Sequence, residues 1–481
     1  MSEEIRDKYE AVIGLEVHAQ LLTRSKMFCG CENRFGASPN SLICPVCTGQ
    51  PGALPVVNRR AVELGVRAAL AIGGKVHGES VFARKNYFYP DLPKGYQISQ
   101  YEKPFCTDGA LVVRLKSGEE RRIGIQRIHF EEDAGKSMHQ SAGSFVNLNR
   151  AGVPLVEIVT HPDMRNSHEA GQYLRELRTV LRYAGVCDGN MEQGNFRCDA
   201  NISVRLRGAK TFGTRVELKN INSFRYVEKA IDFEIDRQIE SVERGEAVRQ
   251  QTRLWDSAQG VTQVMREKEE AHDYRYFPEP DLSVLVIDEA WRDRVARDMP
   301  ELPEAKRRRL MADHQLSAYD AGVLTASREL ADYYERVVST SGNAKASANW
   351  VMNELLGRLN AAGKEIEGSP VPDRELAALI RKVDSAEISG KIAKVVFEEM
   401  FATGKGADAV VREKGLAQIS DSSQLEAAIH KVIADNPAQT QEYRAGKIKL
   451  LGFFVGQVMK ETRGQANPGM VNELVKKILD R

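Results

Sequence analysis

Four cysteines near the start of the chain have the residue type and spacing of a metal site. They form two close pairs, Cys29-Gly-Cys31 and Cys44-Pro-Val-Cys47. This layout is typical of a zinc ion held in a tetrahedral knuckle. Four sulfur ligands leave no position for water or substrate, so the sequence predicts a structural zinc on Cys29, Cys31, Cys44 and Cys47. The alternatives are four free thiols or two disulfides.

Acidic residues and one histidine offer a second kind of chemistry. Glu16 and His18 lie two apart on a predicted strand, so their side chains face the same way. Further acids stand in Ile128-His-Phe-Glu-Glu-Asp-Ala-Gly-Lys136, in Arg197-Cys-Asp-Ala-Asn201 and at Glu217. If these sets converge, their oxygens and the imidazole would suit Mg²⁺. The alternative is a solvated strand face for each acid and a core histidine for His18; spacing alone does not show convergence.

Two aromatic and basic segments are the third unusual feature. Cations, aromatic rings and prolines are mixed in Arg84-Lys-Asn-Tyr-Phe-Tyr-Pro-Asp-Leu-Pro-Lys-Gly-Tyr-Gln97. The same residue types recur in His272-Asp-Tyr-Arg-Tyr-Phe-Pro-Glu-Pro-Asp281. Such loops bind phosphates through lysine and planar groups through tyrosine or phenylalanine. The alternative is an Ω-loop with aromatic anchors. We expect the two segments to line one cleft.

The bulk composition restricts the class of protein. A chain of 481 residues with 42% hydrophobic and 28% charged residues predicts a globular protein of two to four domains. The net charge of +1 excludes a global attraction to nucleic acid, so any such surface is local. Seven cysteines, three of them widely spaced, favour a reducing cytoplasm. We identify no signal peptide and no run of transmembrane length.

The elements that must position these residues fall into three regions. Strand patterns and helices without strict alternation over residues 1–298 predict an α+β domain with the zinc knuckle at 29–47. Met299-Pro-Glu-Leu-Pro303 marks a boundary, after which helical periodicity dominates a domain at 299–410 and a tail domain at 411–481.

Within these regions the residue pattern predicts individual elements. Two hairpins are predicted, one from Leu111–Leu115 and Arg121–Phe130 and one from Ala200–Leu206 and Thr214–Lys219. A further strand is predicted at Leu282–Ile287 and a helix at Ala348–Ala361. The side chains of Asn58, Ser167 and Ser223 are predicted to cap helices.

Several catalytic signatures are absent from the sequence. It contains no phosphate-binding Walker A loop, no Gly-x-Gly-x-x-Gly fingerprint and no Gly-x-Ser-x-Gly elbow. It also lacks a Cys–His arrangement or a Gly/Ser-rich stretch that would indicate a glutaminase nucleophile.

Taken together, these stretches resemble the B-subunit family of tRNA-dependent amidotransferases. The resemblance spans nearly the whole chain, and the number of motifs in order makes it specific. The matching motifs are Ile13-Gly-Leu-Glu-Val-His18, Arg84-Lys-Asn-Tyr-Phe-Tyr-Pro-Asp91, Gly95-Tyr-Gln-Ile-Ser-Gln100, Glu131-Glu-Asp-Ala-Gly-Lys136, Arg197-Cys-Asp-Ala-Asn201, Glu217-Leu-Lys-Asn220, Asp273-Tyr-Arg-Tyr-Phe-Pro278 and Gly464-Gln-Ala-Asn-Pro468.

The resemblance implies a fold, a reaction and partners. The fold is a β-rich cradle related to glutamine synthetase and guanido kinases, followed by a helical domain and a small all-α tail. In the reaction, ATP phosphorylates the side-chain carboxylate of Glu-tRNA(Gln) or Asp-tRNA(Asn), and ammonia displaces the phosphate. Ammonia comes through a channel from a separate amidase A subunit, and a small C subunit completes a heterotrimer.

The resemblance also assigns residues. It implies Mg²⁺ ligands at Glu16, His18 and Glu132, with Asp199 and Glu217 as further polar lining. We expect Lys94 and either Arg84 or Lys85 to contact phosphate, and Tyr87 to contact the nucleotide. The tail resembles a tRNA-reading end, formed by Tyr443, Lys447, Lys449, Lys460 and the Gln-Ala-Asn-Pro stretch. The three lysines are the expected tRNA contacts, with a solvated basic face of a helical bundle as the alternative. Some family members lack the zinc cysteines, so zinc is expected to support stability, apart from the reaction centre.

Two rival functions remain open at this point. The chain would be a non-catalytic tRNA-binding adaptor if its partner did all the chemistry. It would be a stand-alone Mg-dependent amide ligase if it used free ammonia and a small acid. Activity on free glutamate without tRNA distinguishes the ligase, and activity independent of the carboxylates distinguishes the adaptor.

Overall fold

The computed structural model describes residues 3–115, 117–141, 143–267, 271–416, 422–462, 466 and 468–480. The chain divides into two compact units, Met1–Pro303 and Glu304–Arg481, close to the change of composition at Met299–Pro303. All the strands of the described residues lie in the first unit. The motif Gly464-Gln-Ala-Asn-Pro468 lies largely outside the described residues.

The first unit is built around one large sheet. Its nine strands run in the order β14-β13-β12-β11-β1-β10-β7-β6-β2, and all neighbours are antiparallel except β12 and β13. The strands are β1 Tyr9–Gln20, β2 Lys75–Val76, β3 Glu79–Ser80, β4 Ala83–Asn86, β5 Tyr96–Ser99, β6 Cys106–Arg114, β7 Glu120–Glu132, β8 Lys136–Gln140, β9 Gly143–Asn147, β10 Pro154–Thr160, β11 Phe196–Leu206, β12 Val216–Lys219, β13 Gln251–Asp256, β14 Val261–Glu267, β15 Phe277–Pro278 and β16 Leu285–Val286.

The strand predictions agree with this sheet in most places. The two predicted hairpins correspond to the antiparallel pairs β6–β7 and β11–β12. The apolar run Leu282–Ile287 contributes only the short strand β16, so the predicted longer strand is wrong there. The observed mixture of a large sheet with many helices confirms a fold containing both α and β structure.

Helices cover one face of the sheet and begin at side-chain caps. The helices of this unit are α1 Glu3–Arg6, α2 Arg59–Ala71, α3 Ser167–Tyr183, α4 Phe224–Glu243 and α5 Glu289–Arg297, with a 3₁₀ turn at Ala271–Tyr274. Asn58 and Ser223 cap α2 and α4 as predicted, because each side-chain oxygen accepts a backbone N–H of the first turn. The cap of α3 is Asn166, one residue before the predicted Ser167.

The central strand β1 separates a buried face from an open one. Its odd-numbered residues from Tyr9 to Ala19 are buried in the hydrophobic core. Gly65 lets α2 approach this core closely, since a Cβ at that position would lie 2.2 Å from the Phe130 ring. The even-numbered Glu16, His18 and Gln20 lie on the other, partly exposed face. The fold therefore presents the predicted catalytic residues of β1 on the side that helices leave open.

The second unit is helical and contains two separate hydrophobic clusters, one between Leu310 and Val411 and one between Leu425 and Leu479. The predicted helix at Ala348–Ala361 is interrupted by a π-helical segment, Trp350–Leu355. The helices are α6 Pro303–His314, α7 Ala318–Leu324, α8 Arg328–Ser341, α9 Ala344–Asn349, α10 Leu356–Ala361, α11 Asp373–Asp384, α12 Gly390–Thr403, α13 Ala407–Glu413, α14 Ser422–Asp435, α15 Pro437–Arg444, α16 Leu451–Glu461 and α17 Pro468–Leu479.

Candidate active site and cysteine cluster

A row of polar residues crosses the open face at the middle of the sheet. His18 of β1 pairs with Glu157 of β10 on one side and with Arg197 of β11 on the other. Glu157 in turn pairs with His129 of β7. Residues paired directly across antiparallel strands have neighbouring side chains on the same face. The register therefore assembles imidazoles, a carboxylate and a guanidinium from four strands.

Three members of this region have the geometry of a metal site. The Nε2 atom of His18 lies 3.3 Å from a carboxylate oxygen of Glu157 and 3.8 Å from one of Glu131. One donor atom from each of the three residues lies within 4.8 Å of the others. Two carboxylates and one imidazole fit a divalent cation such as Mg²⁺, and three protein ligands leave coordination positions for phosphate oxygens or water.

Hydrogen bonds hold Glu131 in this arrangement. Its two carboxylate oxygens accept from Ser99 Oγ at 2.7 Å and from Gln97 Nε2 at 3.1 Å. His129 Nε2 lies 3.3 Å from Glu131 and 3.4 Å from Glu157. These neighbours fix the orientation of both carboxylates, as outer groups commonly do around bound metals.

The charges of the cluster explain its protonation. Burial would lower the pKa of His129, but the carboxylates of Glu157 and Glu131 outweigh burial and raise that pKa to about 9. Burial would raise the pKa of Glu157, yet His129 and His18 lower it well below its usual range. The carboxylate is therefore charged at neutral pH, as a cation ligand must be.

Glu132 occupies a different place from the one expected. Neighbouring residues of a strand face opposite ways, so Glu131 shares the face of His18 and Glu132 does not. Glu132 instead forms an ion pair with Lys94 and accepts the backbone N–H of Ile98 at 3.0 Å. The expectation that Glu132 joins Glu16 and His18 is therefore corrected: Glu131 and Glu157 stand beside His18.

A second acidic group borders the same cavity. Glu16 accepts from Asn201 at 2.9 Å, and Lys219 Nζ lies 2.5 Å from Asp199 and 3.6 Å from Glu217. Burial raises the pKa of Glu16, and the nearby carboxylates raise it further. All these residues except Asn201 line the cavity of about 440 Å³ that also contains His18 and Glu131. The structure thus brings Glu16, His18, Asp199 and Glu217 together, as predicted.

The predicted phosphate and nucleotide contacts divide into two groups. Lys85 lines the cavity, 5.0 Å from the ring of Tyr274. Arg84 is held by Glu279 at 2.7 and 2.8 Å, Tyr87 lines a neighbouring cavity, and Lys94 is committed to Glu132. Lys85 alone of these four therefore reaches the cavity of His18 in the described structure.

The cavity residues that sequence reasoning missed include His129, Glu157, Arg127 and Arg215. Glu157 had a usable signal, since it is a single acid within the apolar run Pro154–Thr160. Arg127 has a buried Nε atom without a hydrogen-bond partner among the described residues. Arg127 and Arg215 are therefore better placed for phosphate than Arg84 and Lys94.

The four cysteines of the knuckle converge as their spacing predicts. One sulfur from each lies within 4.8 Å of the others, and the Sγ atoms of Cys44 and Cys47 are 3.9 Å apart. Zinc–sulfur bonds of about 2.3 Å place tetrahedral sulfurs at about this separation. A hydrogen bond from Cys29 lowers the pKa of Cys47 to about 4 against the effect of burial. None of the seven cysteines forms a disulfide.

A buried lysine links the cysteine cluster to its surroundings. Lys26 is fully buried, and its Nζ donates to Leu42 O at 2.8 Å and contacts Cys47 Sγ at 3.6 Å. The knuckle also lies against the pair formed by Lys94 and Glu132. A Cβ at Gly49 would meet Lys94 at 2.5 Å, and one at Gly152 would lie 3.3 Å from Cys47 and 3.8 Å from Glu132.

In the second unit, Lys447, Lys449 and Lys460 are all exposed. Lys447 forms an ion pair of 3.2 Å with Glu442. Tyr443 is buried, and its hydroxyl donates to Asp480 at 3.0 Å, so this tyrosine belongs to the hydrophobic cluster rather than to a surface. Among the described helices, none has both the length and the apolar character needed to cross a membrane.

Comparison with known proteins identifies the family of this chain. The family model described as the GatB/GatE catalytic domain matches residues 11–293, and the GatB domain matches 332–479. The chain is 56% identical to the B subunit of the aspartyl/glutamyl-tRNA(Asn/Gln) amidotransferase of Thermodesulfovibrio yellowstonii over 98% of this chain and 99% of the relative. It is 57% identical to the corresponding protein of Thioalkalivibrio sulfidiphilus over 98% and 100% of the two chains. The chain therefore belongs to the family of tRNA-dependent amidotransferase B subunits.

Proposed function

We propose that this chain activates and amidates the side-chain carboxylate of Glu-tRNA(Gln) or Asp-tRNA(Asn). A carboxylate oxygen attacks the γ-phosphorus of ATP and releases ADP; ammonia then attacks the acyl carbon, and phosphate leaves. The observation that carries the proposal is the cluster of His18, Glu131 and Glu157 on the open face of the sheet. The relatives' name supplies the substrate class.

The residues of the cavity suit a reaction between two anions. His18, Glu131 and Glu157 would hold Mg²⁺, which when bound offsets the repulsion between carboxylate and γ-phosphate. Lys85, Arg127 and Arg215 supply cationic groups at the wall of the same cavity. Glu16, Asp199 and Glu217, with Lys219 among them, form a polar wall that orients the polyphosphate and its counter-ions.

The finer architecture belongs to the same proposal. An open sheet with carboxylates on one face supports a cradle of the glutamine synthetase and guanido kinase type. We retain a catalytic domain at 1–298, a helical domain at 299–410 and a tail at 411–481. The two hydrophobic clusters of the second unit support the division near residue 410. Lys447, Lys449 and Lys460, all exposed, are proposed to contact the tRNA backbone.

Zinc and partner proteins complete the proposal. The converged cysteines Cys29, Cys31, Cys44 and Cys47 suit a structural zinc. The designation of the relatives as B subunits supports a complex, in which an amidase A subunit supplies ammonia and a small C subunit completes the assembly. Seven cysteines without a disulfide among them support a reducing cytoplasm as the compartment.

The deciding experiment is an assay of the reconstituted complex with Glu-tRNA(Gln) and Mg-ATP, with ammonium replacing glutamine. We expect ADP and Gln-tRNA(Gln) in equal amounts, and trapping of the activated carboxylate by hydroxylamine. Turnover of free glutamate without tRNA would instead indicate the stand-alone ligase. Unchanged amidation in a complex in which this chain carries Glu131→Gln and Glu157→Gln would indicate the adaptor and overturn the proposal.

A further inference from the structure

A second cavity, of about 380 Å³, opens beside the first one in the N-terminal unit. Gln20 lines it, and Gln20 lies on the same face of β1 as Glu16 and His18 because alternate residues of a strand share a face. Two residues of a strand span about 7 Å. The second cavity therefore begins about one side-chain length beyond His18 along the same strand.

The cysteine knuckle builds one wall of this cavity. The loop Asn33–Ala37, between Cys31 and Cys44, lines it directly. Asn149, another lining residue, accepts the backbone N–H of Leu42 at 2.9 Å and donates to Ser38 O at 2.7 Å. The loop that faces the cavity is thus tied at its ends by the cysteines and along its length by Asn149.

The lining has the chemistry of a site for single-stranded nucleic acid. Arg34, Lys136 and Arg150 place cations around the cavity, and Phe35 is 69% exposed. Arg34 also pairs with exposed Glu32 at 3.1 Å, and Arg150 lies 3.7 Å from Asp133. The one acid among the described lining residues, Asp188, already accepts hydrogen bonds from Asn190 N and Asn195 Nδ2. Cations that follow a phosphate backbone, together with an exposed ring for base stacking, are the usual means of binding single strands.

The boundary between the two cavities is rigid. Gln20 Nε2 donates to Asp133 at 2.8 Å, and Arg197 donates to both oxygens of the same carboxylate at 2.8 and 3.1 Å. A group seated beyond Gln20 is therefore held at a fixed distance from His18. An aminoacyl ester seated there would extend its side-chain carboxylate toward the first cavity.

We propose that the second cavity binds the 3′-terminal nucleotides of the aminoacyl-tRNA, with the esterified ribose at the Gln20 end. This inference rests on the proposed function. ATP is the less suitable occupant, because the carboxylate and histidine donors for its metal lie in the first cavity. The knuckle then has a role in substrate binding, since its loop carries Arg34 and Phe35 on the cavity wall.

The test uses the reconstituted complex with Phe35→Ala and Arg34→Ala, whose exposed side chains can be removed without disturbing the core. Each variant should raise the KM for Glu-tRNA(Gln) by about tenfold, in line with the loss of one stacked base or one phosphate contact, and leave the KM for ATP unchanged. Arg122→Ala, an exposed arginine near the far end of β7, is the matched control and should change neither.

A truncated RNA makes the assignment specific. In direct binding measurements, the Phe35→Ala complex should bind intact tRNA more weakly than the wild-type complex does. For a tRNA that lacks its last three nucleotides, the wild-type and Phe35→Ala complexes should have the same affinity. Equal weakening of both RNAs, a change only in the KM for ATP, or no change at all would overturn the inference. If the wild-type complex itself failed to amidate Glu-tRNA(Gln), the proposed function would fail; normal wild-type activity with unaffected variants would refute the second cavity alone.

Discussion

The cysteine knuckle and the acidic pocket are two candidate metal sites in one unit, and they are built in opposite ways. The knuckle gathers four sulfurs from one short segment, Cys29–Cys47, and would saturate a tetrahedral ion. The pocket gathers His18, Glu131 and Glu157 from three strands and borders a cavity of about 440 Å³. A closed set of soft ligands suits permanent support, whereas an open set of hard ligands suits exchange with substrate.

The two sites are nevertheless neighbours. The knuckle touches Lys94 and approaches Glu132, and Glu132 is covalently next to Glu131 of the pocket. From the sequence we expect a zinc site apart from the reaction centre. The two sets of candidate ligands are indeed separate, but only the ion pair of Lys94 and Glu132 lies between them. A zinc ion bound by the four cysteines would support the strand end that carries Glu131, the proposed metal ligand.

The largest expected effect on activity comes from removing a ligand of the acidic pocket. Glu131→Gln removes one charge from the ligand set while keeping the shape of the side chain. We expect amidation by the reconstituted complex to fall by roughly 1000-fold, because charge stabilisation at the reacting phosphate is lost. The measurement is single-turnover amidation with Mg-ATP and ammonium, with tRNA binding followed in parallel and expected to persist.

Its matched control is the adjacent carboxylate. Glu132→Gln keeps an acceptor for Lys94 and for the backbone of Ile98, so we expect a loss of about tenfold, at the low end of the range for a residue outside the ligand set. If Glu132→Gln abolished activity while Glu131→Gln retained it, the assignment of the two faces would be reversed.

The next largest expected effect comes from removing a ligand of the cysteine knuckle. Cys44→Ser removes one sulfur ligand, so the zinc expected in the wild-type chain should be lost. We expect the first unfolding transition to fall by roughly 5–10 °C, because metal binding energy contributes to folding. Metal analysis by mass spectrometry and differential scanning calorimetry check it. Cys106→Ser, at a buried cysteine outside the cluster, should keep the metal; a metal-free wild type with the same melting curve as Cys44→Ser would contradict the prediction.

The contrast between the sites also shows what a sequence can predict. The knuckle is local, so its four ligands follow from spacing alone, as do the hairpin β6–β7 and the caps Asn58 and Ser223. The pocket depends on register between strands far apart in the chain, such as His18 opposite Glu157. No local pattern fixes that register before the sheet is known.

The choice between Glu131 and Glu132 illustrates the same limit. Alternation separates the two carboxylates onto opposite faces, but only the packing of β7 against β10 decides which face is open. Arg84 shows a second limit. Its partner Glu279 lies 195 residues away, so the sequence could not reveal that this arginine is already engaged in an ion pair. Residue types indicate what chemistry a side chain can perform, whereas tertiary contacts decide whether that side chain is already engaged elsewhere.

A smaller effect sharpens the account of the knuckle. Lys26→Met removes the buried ammonium beside Cys47 while retaining an apolar side chain of similar length. We expect about tenfold weaker zinc binding, as is usual when an outer partner of a ligand is lost. Zinc transfer to a chromogenic chelator measures it, and Lys26→Arg is the charge-preserving comparison. Unchanged transfer kinetics in Lys26→Met would show that the ammonium only fills space.

The smallest expected effect comes from a residue that hydrogen-bonds to a ligand of the acidic pocket. Ser99 is buried and donates to Glu131 at 2.7 Å, so Ser99→Ala should loosen one metal ligand without removing it. We expect the Mg²⁺ concentration for half-maximal amidation to rise roughly fivefold, which corresponds to one hydrogen bond. Zinc content should stay unchanged, because Ser99 touches the carboxylate and not the sulfurs. Ser347→Ala removes an equally buried hydroxyl in the helical unit and should leave the Mg²⁺ dependence as it was. An equal shift in both variants would mean that the effect is general destabilisation, and the separation of the two metal sites would lose this support.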